Sequence, residues 1–268
     1  MNQQPMLPLS ALPDVVRRSI RGVLTDIDET LSTKGKITAQ AYSAMERLRA
    51  GGRLVVPVTG RPAGWCDHIA RMWPVDAVVG ENGALYMIHD DRLHTLEVCH
   101  AVSATERRKN RRRLSAIASR ILREVPGCAI ASDQPYRESD LAIDYCEDVT
   151  PISAQSVERI VALMAAEGMT AKVSTIHVNG WFGNHNKLSM SRKLFADVFG
   201  IDLGAERERF VFVGDSPNDS PMFDFFPYSV GVANVRRFAE TLETPPKYVT
   251  KCEAGAGFAE LADFLLGV

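Results

Sequence analysis

Short apolar runs recur along the chain, and several end abruptly in polar clusters. Val23-Leu24 leads into Asp26-Ile27-Asp28-Glu29-Thr30, Val55-Val56-Pro57-Val58 into Thr59-Gly60-Arg61-Pro62, and Phe210-Val211-Phe212-Val213 into Gly214-Asp215-Ser216-Pro217-Asn218-Asp219. The run from Phe210 is apolar at every position, which fits a strand buried on both faces. Between the runs the pattern turns helical. A helix is predicted from Thr38, its N-cap, to Ala50, where Gly51-Gly52 stops it, and another from Pro62 to Met72; a strand at 77–79 completes a βαβαβ half.

The same alternation resumes at Lys187. A helix to Phe199 carries Leu188, Met190, Leu194, Phe195 and Val198 largely on one side, followed by the strand that ends at Asp215. A short helix after Pro221, a strand at 229–232, a further helix, a strand at Tyr248-Val249 and a last helix over 257–266 complete the second half. The fold class is α/β with a parallel sheet. Ligands in such sheets bind beyond the carboxyl ends of the strands, so the two acidic clusters converge at one edge although they lie far apart in the chain.

The segment between the halves has a different rhythm. It is predicted to hold a long helix over 103–124, strands at 128–132 and 141–146, a helix over 153–167 and one strand over 171–178, in which Val173, Thr175 and His177 alternate with Ser174, Ile176 and Val178. One face of that strand is expected against helices and the other toward the site. The division that follows is a core of residues 1–85 and 184–268 with an inserted α+β unit at 86–183.

Composition narrows the function classes. The 268 residues are 46% hydrophobic and 24% charged, enough for an ordinary core, and the formal net charge of −2 gives no global attraction to nucleic acid or to anionic membrane. The run Arg107-Arg108-Lys109-Asn110-Arg111-Arg112-Arg113 spreads its charge around a helix and is read as a solvated face that can steer anions. Five scattered cysteines without a Cys-x-x-Cys pair imply reduced thiols, and the six histidines lack ligand spacing. Met1 to Ile20 has no signal-peptide pattern and no stretch approaches 18 apolar residues, so a cytoplasmic protein is expected. A Walker loop is absent, and Gly255-Ala256-Gly257 is too incomplete for a dinucleotide fingerprint.

Asp26 and Asp28 alone could be a turn, because Asp favours loops. Their company argues otherwise. With the hydroxyl-ended strand at Thr59, Lys187 opening a helix and the second acidic cluster, the chain resembles the haloacid dehalogenase superfamily of phosphoryl-transfer enzymes, whose core is a Rossmann-like parallel sheet. The resemblance implies that Asp26 is a nucleophile and Asp28 a general acid/base. It further implies that Thr59 binds phosphate, that Lys187 offsets charge, and that Asp215 and Asp219 form the acidic pair of a Mg²⁺ site completed by Asp26 and the backbone carbonyl of Asp28. One departure is Glu29, where many relatives carry Gly.

Residue chemistry agrees. A carboxylate nucleophile divides phosphomonoester hydrolysis into two easier steps, in a reaction that needs accelerations up to roughly 10²¹-fold. Clustered carboxylates repel one another unless a cation joins them, and a hard, oxygen-preferring ion such as Mg²⁺ is the simplest partner.

Insertion just behind Glu81-Asn82-Gly83-Ala84 resembles the C2-type cap of subclass IIB, which includes Cof-type sugar phosphatases and sucrose-phosphate phosphatase. Substrate contacts are expected from Thr59, Gly60, Arg61 and Asn82 in the core and from Arg137, His177, Asn179, Trp181 and Asn184 in the cap or its return hinge. Each cap residue also has a plainer reading: a hydrogen-bonded His, a packed Trp, an Arg in a surface salt bridge. The expectation is a Mg²⁺-dependent phosphatase that acts on a small phosphorylated metabolite, most readily a sugar phosphate, through an aspartyl-phosphate. A phosphomutase and a non-catalytic phosphometabolite sensor are the alternatives, and neither nucleic acid nor membrane is an expected partner.

Overall fold

The computed structural model describes residues 6–268 apart from Thr175. In the first part of the core, strand β1 (Leu7–Pro8) and helix α1 (Asp14–Ser19) precede β2 (Gly22–Thr25), whose four residues are all buried. A small hairpin of β3 (Ser32–Thr33) and β4 (Lys36–Ile37) leads to α2 (Ala39–Ala50), capped by the Thr38 hydroxyl, which accepts from the Ala41 N–H at 3.2 Å. Then follow β5 (Leu54–Pro57), α3 (Ala63–Met72), β6 (Val78–Gly80), β7 (Leu85–Asp90) and β8 (Thr95–His100).

The inserted unit comprises α4 (Ala104–Glu124), β9 (Ala129–Ile130), β10 (Asp140–Asp144), α5 (Ala154–Ala166), β11 (Thr170–Val173) and β12 (His177–Trp181). The chain returns to the core through α6 (Lys187–Phe199), α7 (Leu203–Glu206), β13 (Phe210–Gly214), α8 (Ser220–Phe225), β14 (Val230–Gly231), β15 (Tyr248–Val249) and α9 (Ala254–Leu266). No helix among the described residues is long and apolar enough to cross a membrane.

Six strands form an all-parallel sheet in the order β1-β15-β14-β13-β2-β5. Within it β2 and β13 are neighbours, in register from Gly22 opposite Phe210 to Thr25 opposite Val213, so Asp26 and Asp215 leave the sheet side by side. Helices cover both faces. On one, α2, α3 and α9 pack Met45, Leu48, Ile69, Phe258 and Leu261 against Val23, Val55, Val211 and Val213; on the other, α6 and α8 pack Leu194, Phe195, Met222 and Phe223 against Leu24, Val56, Phe210 and Phe212. Burial of large side chains at about 1.5–3 kcal/mol each explains why continuous apolar runs were needed here.

The inserted unit has its own apolar cluster. Leu114, Ile117 and Ile121 of α4 and Ile160, Leu163 and Met164 of α5 pack on Leu141, Ile143 and Val178 of the sheet β11-β12-β10-β9.

Four sequence expectations differ from the structure. The single strand predicted over 171–178 is two antiparallel strands, β11 and β12, because Ser174 makes the turn: its N–H donates to the His177 carbonyl at 2.8 Å and its hydroxyl accepts from the His177 N–H at 3.0 Å. Thr175, one of the alternating residues, lies outside the described residues. The boundary at 86 also moves. Strands β7 and β8 pair with β6, which itself meets the core sheet through a parallel bridge between Val58 and Val79, and Leu85, Tyr86 and Met87 are buried in the core clusters. We place the start of the cap at α4, since apolar packing separates there. The last helix begins at Ala254 rather than 257, and the stretch after β14 is a 3₁₀ segment, Ala233–Phe238.

Candidate active site

The polar ends of β2, β5, β6, β13 and β14 meet at one edge of the core. Asp26, 5% exposed, is fixed by its N–H, which continues the ladder to the Val213 carbonyl at 2.9 Å. Lys187 enters from the first turn of α6. Its buried ammonium donates to Asp26 Oδ1 and to Asp219 Oδ1, each at 2.8 Å. Asp219 Oδ2 accepts from the Asp215 N–H at 3.2 Å, which clamps the turn after β13. This turn requires Gly214, since a Cβ there would lie 2.3 Å from Asp219 Oδ2.

Among the described residues, Asp26, Asp215 and Asp219 place one carboxylate oxygen each within 4.8 Å of one another. The electrostatics are unbalanced. Burial, followed by repulsion from Asp26 and Asp219, drives the Asp215 carboxyl well above its usual range. Burial likewise pushes Asp26 up against the pull of Lys187. Although burial opposes it, the charges of Asp219 and Asp26 hold Lys187 protonated. One ammonium among three buried carboxylates leaves negative charge uncompensated, and an all-oxygen donor set suits a divalent cation such as Mg²⁺. Asp219 is engaged through both oxygens, by Lys187 and by the Asp215 backbone.

Asp28 points elsewhere. Its carboxylate is gripped by Arg61, with Nε 3.0 Å from both oxygens and Nη2 2.7 Å from Oδ1. The guanidinium of Arg61 stacks over Trp65 at 4.6 Å and lies 3.6 Å from Glu147 and 3.8 Å from Asp133, both of the cap. Thr59 is fully buried, and its hydroxyl accepts from the Arg61 N–H at 3.0 Å. A narrow cleft lies over these groups, with Gly60, Arg61 and Asn82 on the core side and Arg137, His177 and Asn179 on the cap side.

His177 and Asn179 alternate with Val178 and Gly180 along β12. The polar pair faces the cleft, while Val178 belongs to the cap's apolar cluster and Gly180 lies against Met164 and Met169. Nε2 of His177 is 2.8 Å from Glu147 Oε2. Arg137 lines the cleft, yet its guanidinium is occupied by Asp133, Asp140 and the Gly60 carbonyl. It is a buried ion pair, neither a surface one nor a free anion hook. Trp181 and Asn184 border a neighbouring recess of about 320 Å³ with His185, and Trp181 is stacked on His185 with centroids 5.8 Å apart.

Sequence reasoning missed Asn234. Its Nδ2 donates to Asp215 Oδ2 and to the Glu29 carbonyl, each at 3.0 Å, and its Oδ1 accepts from the Ala254 N–H. The signal was available: Asn234 closes the apolar run of β14 as Asp215 closes that of β13. Thr30, whose hydroxyl donates to Asp215 Oδ1 at 3.3 Å, was hidden among the residues of the first motif. Asp133, Asp140 and Glu147 carried no such signal, because their importance comes only from the folding of the cap over the core.

Residues 23–108 match the family of haloacid dehalogenase-like hydrolases. A phosphoglycolate phosphatase of Methanosarcina acetivorans is 39% identical over 80 residues, a match that spans 30% of this chain and 32% of that protein. Among solved structures, the C-terminal domain of C. albicans trehalose-6-phosphate phosphatase superposes with a TM-score of 0.73 at 13% identity, covering 100% of both chains. A phosphatase of the haloalkanoate enzyme superfamily from Bacteroides thetaiotaomicron gives 0.62 at 16% identity, covering 96% of this chain and 98% of its own. Residues 23–108 thus carry sequence similarity to haloacid dehalogenase-like hydrolases, and nearly the whole chain shares the fold of these solved phosphatase structures.

Proposed function

We propose that the protein is a cytoplasmic, Mg²⁺-dependent phosphatase that hydrolyses a small phosphorylated metabolite of the sugar-phosphate class through an aspartyl-phosphate. The observation that carries this reading is Lys187 held at 2.8 Å between Asp26 and Asp219, with Asp215 in the same cluster and Thr59 on the adjoining strand. Relatives of similar fold that are named for trehalose-6-phosphate and sucrose phosphate support the substrate class.

Bound Mg²⁺, which the Asp26 and Asp215 carboxylates would hold, would supply positive charge to the phosphoryl oxygens. Asp26 attacks phosphorus through a carboxylate oxygen as the bond to the leaving alkoxide breaks. Lys187 and the Thr59 hydroxyl hold the phosphoryl oxygens. Substrate phosphate competes for the Arg61 guanidinium, and Asp28, released from that ion pair and carrying the proton it took from water in the preceding turnover, gives that proton to the leaving oxygen. In the second half Asp28 takes the proton of the water that cleaves the aspartyl-phosphate, which regenerates Asp26 and releases phosphate. Closure of the cap excludes bulk water and brings Asn179 and His177 to the leaving group.

Asp26→Asn is expected to abolish p-nitrophenyl phosphate hydrolysis in Mg²⁺, and undiminished turnover would refute the nucleophile. A phosphate-release screen over sugar phosphates, phosphoglycolate-like acids and nucleoside monophosphates identifies the leaving group. An isomerised product that keeps its phosphate would assign a mutase instead, and no turnover on the panel a sensor.

A further inference from the structure

Three successive carbonyls of the phosphate-side loop are each held by a different donor. The Asn82 N–H donates to Thr59 O at 3.0 Å, Arg137 Nη1 to Gly60 O at 2.9 Å, and the Glu81 N–H to Arg61 O at 3.1 Å. Two of these donors belong to the core turn after β6, and the third comes from the cap.

Glu81 also reaches across the boundary between the two units. Its fully buried carboxylate accepts from the Ala63 N–H at 2.9 Å and the Glu138 N–H at 2.8 Å through Oε1, and from the Ser139 N–H at 2.7 Å through Oε2. Ala63 opens α3 behind Pro62, which has no side-chain cap to offer, so Glu81 closes the start of that helix while gripping the cap. Arg137 is braced in turn. Asp133 takes Nε and Nη2, each at 2.9 Å, and Asp140 takes Nη1 at 3.0 and 3.1 Å. Asp140 Oδ2 accepts further from Asn179, a cleft residue, at 2.9 Å.

The turn itself is strained. Glu81 and Asn82 both occupy the left-handed region, at φ +45° and +54°. Such conformations cost about 1–3 kcal/mol each and persist where the surroundings over-determine them. Gly60 is fitted to the turn: a Cβ there would lie 3.2 Å from the Asn82 amide.

We propose that Glu81 and Arg137 are positioning residues that couple the docking of cap segment 137–139 to the shape of the loop 59–61, so that cap placement and phosphate affinity form one equilibrium. Every nitrogen of the Arg137 guanidinium and both oxygens of the Glu81 carboxylate are engaged at the seam. Both act through the loop: undocking of the cap removes the donor to Gly60 and two of the three donors to the Glu81 carboxylate together. The loop's role as the phosphate holder rests on the phosphatase reading, whereas the mechanical coupling does not.

The test uses the full chain with Mg²⁺ and inorganic phosphate as the probe. Glu81→Gln keeps the shape but replaces an acceptor with a donor that faces backbone N–H groups. Loss of hydrogen bonds to a charged group is worth roughly 10- to 100-fold in an equilibrium. Hydrogen exchange at Glu138 and Ser139 is therefore expected to speed up by about that factor. Exchange at Gly60, Arg61 and Asn82 should rise with it, and the dissociation constant for phosphate should weaken at least about tenfold. Arg137→Lys, which keeps the charge without the fork, should show the same pattern more weakly. If Glu81→Gln frees Glu138 and Ser139 while the loop's exchange and phosphate affinity stay at wild-type values, Glu81 is a staple only and the coupling is wrong. If the wild type takes up no phosphate, the functional reading fails on its own, and exchange across residues 59–61 still decides the coupling.

Discussion

At the scale of single residues, neither ring nitrogen of His185 has a hydrogen-bond partner among the described residues, and burial lowers its pKa to about 4. A histidine kept neutral by the fold contributes stability that is complete above its unfolded pKa of about 6.5 and is lost as pH falls toward 4. His185→Phe, which keeps the stack on Trp181, should flatten the loss of urea midpoint between pH 6.5 and 4 relative to wild type; parallel curves would show that another group controls the acid limb. Lys187, Asp26, Asp215 and Asp219 were legible because each stands where an apolar run or an amphipathic helix meets a polar cluster. Glu29 was legible as an anomaly, and its φ of +54° is a conformation in which Gly carries no penalty. Glu81 was quoted in a motif yet given no role, since its partners Glu138 and Ser139 lie in a different unit of the chain.

At the scale of elements, the helices with strong caps and periodicity matched their expected spans closely. Thr38, Ser103 and Ser153 each cap the helix that follows through a side-chain oxygen. Strands of the cap were harder. No Gly or Pro punctuates the stretch between β11 and β12, so the turn made by Ser174 had no composition cue. The approach of α6 to the turn after β6 depends on Gly83. At φ +98°, a Cβ on that residue would sit 2.1 Å from the Asn186 carbonyl oxygen, which is backbone and cannot rotate away. Gly83→Ala should therefore push the N-terminus of α6, and Lys187 with it, out of the acidic cluster. The expected outcome is a fall in thermal midpoint of several degrees together with loss of phosphatase turnover. An unaltered midpoint would mean that α6 accommodates the methyl group without moving.

At the scale of the whole molecule, two apolar clusters support a core that gathers charge at one edge, and a third supports the cap. The uncompensated carboxylates make cation binding a term in folding stability. Mg²⁺ at a hundredfold excess over its dissociation constant should add about 2.7 kcal/mol. For a chain of this length that corresponds to roughly 5–10 °C in thermal midpoint. Asp215→Asn should abolish the Mg²⁺-dependent part of the shift, and a scan in which Mg²⁺ moves wild type and variant equally would remove the site from these residues. Fold class and the meeting of both acidic clusters were readable from the sequence because a parallel sheet buries whole runs. The seam between core and cap was not, because it is written in backbone carbonyls and in single buried charges.

The position of β2 between β13 and β5 has a consequence for how the chain comes into being. Its partner on one side, β13, is far downstream: Thr30 and Asp215, which join across that seam, are separated by 185 positions. At about 5–20 residues per second, a ribosome needs roughly 10–40 s to span that interval. Until then the strand that leads into Asp26 has one flank unzipped, and its apolar residues are available to the wrong neighbour. The nascent chain thus carries the strand of the acidic cluster through synthesis as an open edge, and a chaperone that shields it in that interval guards the proposed site as well as the fold.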